Sequence, residues 1–169
     1  MMNRTKSVFW LIVMSLGGIL FSPREVEAQP NGLTPEELTR RSSVVAVGRV
    51  TALHAQWTGD RSRIVTQVTV AVDQFFKGAS QNRTLVITVP GGEVDGVGEL
   101  YSHAARFHTN EEVVVFAERD ATGNYRVAGG ELGKFTVTRE AITGKKIVGD
   151  SQLLEVFASR VHHAARNGQ

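Results

Sequence analysis

Ile64-Val65-Thr66-Gln67-Val68-Thr69-Val70-Ala71-Val72-Asp73-Gln74-Phe75-Phe76 is the stretch that decides the fold. Successive side chains of an extended chain point to opposite faces. Thr66, Val68, Val70 and Val72 therefore share one face, while Gln67, Thr69, Ala71 and Asp73 share the other. One face is oily and the other wet, which predicts a half-buried β-strand. Lys77-Gly78 ends it.

The neighbouring segments read the same way. Upstream, Val44 to Leu53 begins as a continuous apolar run and then alternates; Gly48 within it predicts a bend or bulge. Trp57-Thr58-Gly59-Asp60 reads as a turn. Downstream, Thr84 to Val89 is a strand stopped by Pro90-Gly91-Gly92, and Glu112 to Glu118, apolar on both faces, is a central strand. Asp120 to Asn124 is a hairpin turn from which Tyr125 to Ala128 returns. Lys134 to Thr138 pairs with Lys146 to Val148 across Thr143-Gly144.

A helix is predicted at each end. Thr34 is the N-cap of the first, Pro35 suits its first position, and Glu37 completes a capping box; it ends near Arg41-Ser42. The second is expected from about Ser151 to Arg166, capped by Asp150 or Ser151 and ended by Asn167-Gly168. Leu153, Phe157 and Val161, with Leu154, Ala158 and Ala165, form its apolar stripe. The fold class expected is all-β with flanking helices: a small OB-like β-barrel with a short N-terminal helix and a C-terminal amphipathic helix. Closure would also hide valine-rich strand edges that invite aggregation.

Residues 1–28 read as a cleavable secretory signal peptide. Arg4 and Lys6 form a basic start, Val8 to Phe21 an apolar stretch, and Val26-Glu27-Ala28 a cleavage site that leaves Gln29 first. The apolar stretch is shorter than the ~20 residues needed to span a bilayer. Residues 29–169 are then a single domain, long enough to bury a core without disulfides, and the chain has no cysteine. Three of the 19 Lys and Arg and two of the 17 Asp and Glu fall in the leader, leaving 16 against 15. A near-neutral balance without a basic run argues against nucleic acid as a partner.

Ser43-Val44-Val45-Ala46-Val47-Gly48-Arg49-Val50, the Val68 to Gly78 segment ending in Phe76-Lys77-Gly78, and Glu111-Glu112-Val113-Val114-Val115-Phe116 together resemble the netrin-like domain. This OB-barrel type is shared by tissue inhibitors of metalloproteinases. The resemblance runs from about Val44 to Val137, and the opening Leu33-Thr34-Pro35-Glu36-Glu37-Leu38 also resembles a group of uncharacterised secreted bacterial proteins. It implies a secreted barrel of the binding type. The inhibitors act through an N-terminal cysteine that chelates the target's zinc; a chain without cysteine cannot use that route.

The connection from Pro90 to Asn110 has no clear element in the sequence, and loops of that length are usually functional or disordered. Its glycines 91, 92, 96 and 98 permit close approach or left-handed turns. Glu93, Asp95 and Glu99 offer oxygen ligands of the type calcium takes, but not at EF-hand spacing. His103, Arg106 and His108 follow; the two histidines read as solvated loop residues rather than zinc ligands. Gly149-Asp150-Ser151-Gln152-Leu153 matches a short serine-hydrolase signature, yet Ser159-Arg160-Val161-His162 lacks the Asp that the partner motif needs. Ser151 reads instead as a helix cap.

The sequence therefore points to a secreted or periplasmic, non-catalytic binding module. Its candidate binding residues are Glu93, Asp95, Glu99, His103, Arg106 and His108. It calls for no cofactor and no metal; the expected partner is a protein or envelope polymer, with no membrane contact after leader cleavage. The alternatives are a hydrolase or metal-dependent enzyme built in the same connection, and a protease inhibitor working without cysteine chelation.

Overall fold

In the computed structural model, which describes residues 33–80 and 82–168, the alternating stretch forms β2 (Ile64–Lys77). Val68, Val70 and Val72 are buried, and Ala71 and Asp73 are exposed, as their alternation requires. The leader read over residues 1–28 lies outside the described residues.

β2 pairs antiparallel with β1 (Val44–Trp57) and with β3 (Thr84–Pro90). β3 meets β7 (Tyr125–Val127) in parallel, β7 pairs antiparallel with β6 (Glu112–Arg119), and β6 returns to β1. The circuit β1-β2-β3-β7-β6-β1 closes a five-stranded, OB-like barrel. β8 (Lys134–Arg139), β9 (Lys146–Val148) and β10 (Gln152–Leu153) extend the sheet outward from β6. β8 and β9 pair as the sequence predicts.

Two apolar layers share β1 and β6. Val44, Ala46 and Val50 point into the barrel with Val68, Val70, Ile87 and Val115. Val45, Val47, Val114 and Phe116 point outward, beneath Leu38 of α1 (Pro35–Arg41) and Phe157 and Val161 of α2 (Leu154–Asn167). β6 is thus apolar on both faces because both faces are covered. The capping box is present: Thr34 Oγ1 accepts from Glu37 N–H at 3.2 Å, and Thr34 N–H donates to the Glu37 carboxylate at 2.8 Å.

β1 and β2 keep their inward faces aligned by bulging. Register slips fall between Val45 and Ala46, between Val47 and Gly48, and between Val50 and Ala52. The second lies at Gly48, where a bulge is expected. A Cβ at Gly48 would lie 2.2 Å from the Ala71 carbonyl oxygen, so only glycine lets the two backbones come this close.

Two expectations need correction. The last helix begins at Leu154, not near Ser151, and neither Asp150 nor Ser151 caps it; Leu153 stands at the N-cap without a side-chain cap. Residues 152 and 153 pair with Val148 and Ile147 instead. A side-chain cap contributes only ~1 kcal/mol, and strand pairing beside a buried Val148 outweighs it. The Pro90–Asn110 connection, read as lacking elements, contains a small hairpin: β4 (Gly92–Val94) and β5 (Val97–Glu99). Asp95 and Gly96 both have positive φ, 53° and 77°. That is the two-residue turn that Asp-Gly favours.

Candidate functional site

Beyond the bulge at Thr51, β1 and β2 continue past the end of β6 as an arm closed by the turn Thr58–Arg63, with β3 paired along the far side of β2 as far as Val65 and Pro90. Asp60 organises that turn, its Oδ1 accepting from Thr58 Oγ1 (2.6 Å), Ser62 N–H (3.1 Å) and Ser62 Oγ (2.9 Å). The Thr58 hydroxyl first, then the Ser62 donors, hold the Asp60 carboxyl down to about 2.

The β4–β5 hairpin lies against the inner face of this arm. Gly92, at φ 136°, makes that packing possible, since a Cβ there would lie 2.5 Å from Thr66 Oγ1 and 3.0 Å from Ala55 Cβ. Thr66 Oγ1 donates to the Gly91 carbonyl at 2.7 Å. One Glu99 oxygen, Oε2, accepts from Ile64 N–H at 3.0 Å and from the Tyr101 hydroxyl at 2.9 Å. That hydrogen bond to Glu99 raises the Tyr101 phenol above its ordinary value. The chain then runs back over the barrel end, where Ala105 and Phe107 are buried in the barrel core.

Between arm, hairpin and returning chain lies a cleft of about 620 Å³ at the barrel mouth. Leu53, Val68, Val89, Leu100 and Phe107 give it apolar walls. Leu100 is 79 % exposed, an apolar side chain held at the rim in water. Of the six candidates from the sequence, Glu93, Glu99, Arg106 and His108 line this cleft. The other two do not join them: Asp95 sits in the β4–β5 turn, and His103 points to Glu131, 3.1 Å away, beside a separate hollow of about 380 Å³ that Arg106 also borders. His108 is tied locally, its N–H donating to Glu111 Oε1 at 2.7 Å.

Among the described residues, no group of three His, Asp or Glu side chains stands close enough to hold a metal ion. The two hydroxyls in the lining, Thr66 and Tyr101, both donate their protons to neighbours within the wall. A raised phenol is the reverse of an activated nucleophile. The arrangement can enclose an apolar group beneath a charged rim.

The sequence reading missed the apolar lining. Leu53, Leu100 and Phe107 were there to be weighed, but nothing local marks an apolar residue as cleft wall rather than core. The Asp-Gly pair at 95–96 could have located the hairpin, whose strands of three residues each are too short to show alternation. Compared with known proteins, the chain matches no family model and no curated protein sequence.

Proposed function

We propose that this protein is an exported, non-catalytic binding module of netrin-like type that holds a protein partner in the cleft at its barrel mouth. The observation that carries the reading is the cleft itself: apolar walls from Leu53 to Phe107, an exposed Leu100 at the rim, and lining hydroxyls already engaged. Pockets that bind combine apolar walls with a few polar groups at fixed positions, and here Glu93, Arg106 and His108 supply the latter. The closed barrel with a helix at each end agrees with the netrin-like resemblance at the level of fold, which by itself specifies no ligand. Export rests on the leader pattern of residues 1–28.

The test places a photo-reactive amino acid at Leu100 in the producing cell and, separately, at Ile142, which is 95 % exposed at the β8–β9 turn. A discrete protein adduct from position 100, absent from position 142, is expected. Equal or absent labelling would refute the cleft as the binding site. N-terminal sequencing of the exported protein is expected to begin at Gln29; an intact Met1 would overturn the leader reading.

A further inference from the structure

β1 changes partners along its length. Its outer edge pairs with β6 from Val44 to Arg49. The last contacts on that edge are at Val50, whose N–H donates to Glu111 O at 2.9 Å and whose carbonyl accepts from Asn110 N–H at 2.8 Å. There the neighbouring chain turns away, with Asn110 at φ 68° and Glu111 N–H closing onto His108 O at 3.2 Å. β1 nevertheless continues to Trp57, held on its other side by β2. From Leu53 outward, no strand among the described residues pairs with the edge that β6 had covered.

The register identifies the groups left over. In an antiparallel ladder, alternate residues turn both N–H and C=O toward the same neighbour. Thr58 N–H donates to Arg63 O, and the pairs Gln56↔Val65, His54↔Gln67 and Ala52↔Thr69 continue in phase, so these residues face β2. On β2, the Ile64 carbonyl accepts from Gly91 N–H, which turns Ile64, Thr66 and Val68 away from β1. Their opposite numbers Trp57, Ala55 and Leu53 thus direct their N–H and C=O groups outward. Among the described residues, no backbone strand pairs with that edge.

Natural edges of this kind are blunted by lysine, proline, bulges or inward charges. Leu53-His54-Ala55-Gln56-Trp57 contains no Lys, Arg, Asp, Glu or Pro, and its register with β2 is regular. The edge also borders the cleft, because Leu53 is part of the cleft wall.

We propose that the outer edge of β1 from Leu53 to Trp57 takes an extended polypeptide segment of the partner by strand addition, its side chains on one face entering the cleft. This deepens the binding reading above and rests on it. Donors and acceptors alternating over about 14 Å are the complement of another peptide backbone. A polymer without a regular amide row cannot satisfy them. The segment is apolar at the positions over Leu53 and Leu100, and polar at the alternate positions beside His54 and Gln56.

The probe is a display library of linear peptides of about nine residues, within ordinary strand length, selected on the full exported chain. Enriched peptides are expected to alternate apolar and polar residues. On binding, they should slow amide exchange at Leu53, Ala55 and Trp57, whereas His54 and Gln56, already bonded to β2, change little. Ala55→Pro removes an outward N–H without breaking the β2 ladder and should weaken binding about tenfold or more. Trp57→Lys, which charges the edge outside the cleft lining and leaves every backbone bond intact, should do the same if the proline variant folds poorly. Peptides that bind with no alternation in protection and no loss in either variant would overturn strand addition while leaving cleft binding in place. Failure to enrich any peptide would overturn it too, even with Leu100 adducts in the cell. The alternating protection appearing without peptide, as concentration rises, would replace the partner by a second copy of this chain.

Discussion

Truncating Phe116 to alanine separates the two apolar layers. Phe116 lies on the outward face of β6 with no exposed surface, and its ring meets those of Phe135 and Phe157 edge-on at 5.8 and 6.1 Å. Removing a buried phenylalanine costs about 3–5 kcal/mol when the cavity cannot collapse. Here one wall of the cavity is the closed barrel and the other is built from β8, hydrogen-bonded to β6, and from helices held by side chains alone, so α2 is what yields. Against a total stability of about 7–20 kcal/mol for a domain of this size, the loss should lower the midpoint of thermal unfolding by roughly 10–20 °C. Urea titration followed by far-ultraviolet circular dichroism gives the magnitude, and native-state hydrogen exchange gives the location. The amides of α2 should lose protection before those of β2 and β3. Val115→Ala, the next residue but inside the barrel, should cost about 2 kcal/mol and leave the exchange of α2 relative to the barrel unchanged. A Phe116→Ala cost below about 1 kcal/mol, or barrel amides opening ahead of α2, would refute the two-layer account.

Other outcomes follow from the arm and the first helix. Asp60 should titrate near 2 by NMR. Because its folded value lies below the ordinary one, its support of the 58–63 turn is complete above the unfolded carboxyl range and lost as pH falls through the folded value. Exchange at Ser62 N–H should therefore rise only in strong acid; a midpoint at an ordinary carboxyl value would contradict the hydrogen bonds drawn to it. Thr34→Ala removes half of the capping box and should cost about 1 kcal/mol in urea titration, with Thr34→Ser close to wild type. Gly92→Ala should displace the β4–β5 hairpin from the arm, since φ 136° strains an alanine and its methyl meets Thr66 and Ala55. Adduct yield from Leu100 should fall while the thermal midpoint of the barrel changes little; an unchanged yield would show that the hairpin does not shape the cleft.

How far the sequence could be read depends on the range of the forces involved. Alternation along Ile64 to Phe76 marked a strand because burial of one face is written residue by residue. The capping box at Thr34 was legible because its partners lie three residues apart. The start of α2 was not, since the competing interaction is a pairing of Gln152 and Leu153 with β9. The six site candidates were chosen for chemistry, and four of them reached the cleft. Asp95 went to a turn and His103 to Glu131, because backbone geometry rather than ligand chemistry set their direction.

By itself, the sequence determined the five barrel strands, the β8–β9 pair, the presence of a helix at each end, the bulge glycine Gly48, and a barrel that would need no cysteine. All of these follow from local conformational preference and from which face is apolar. Only the tertiary structure decided where β6 leaves β1, which backbone groups of Leu53, Ala55 and Trp57 face outward, and which apolar residues stand around a cleft instead of inside a core. Those depend on three register slips and one turn at Asn110. A one-residue slip turns every later side chain to the other face, and slips are fixed by the pairing of distant strands.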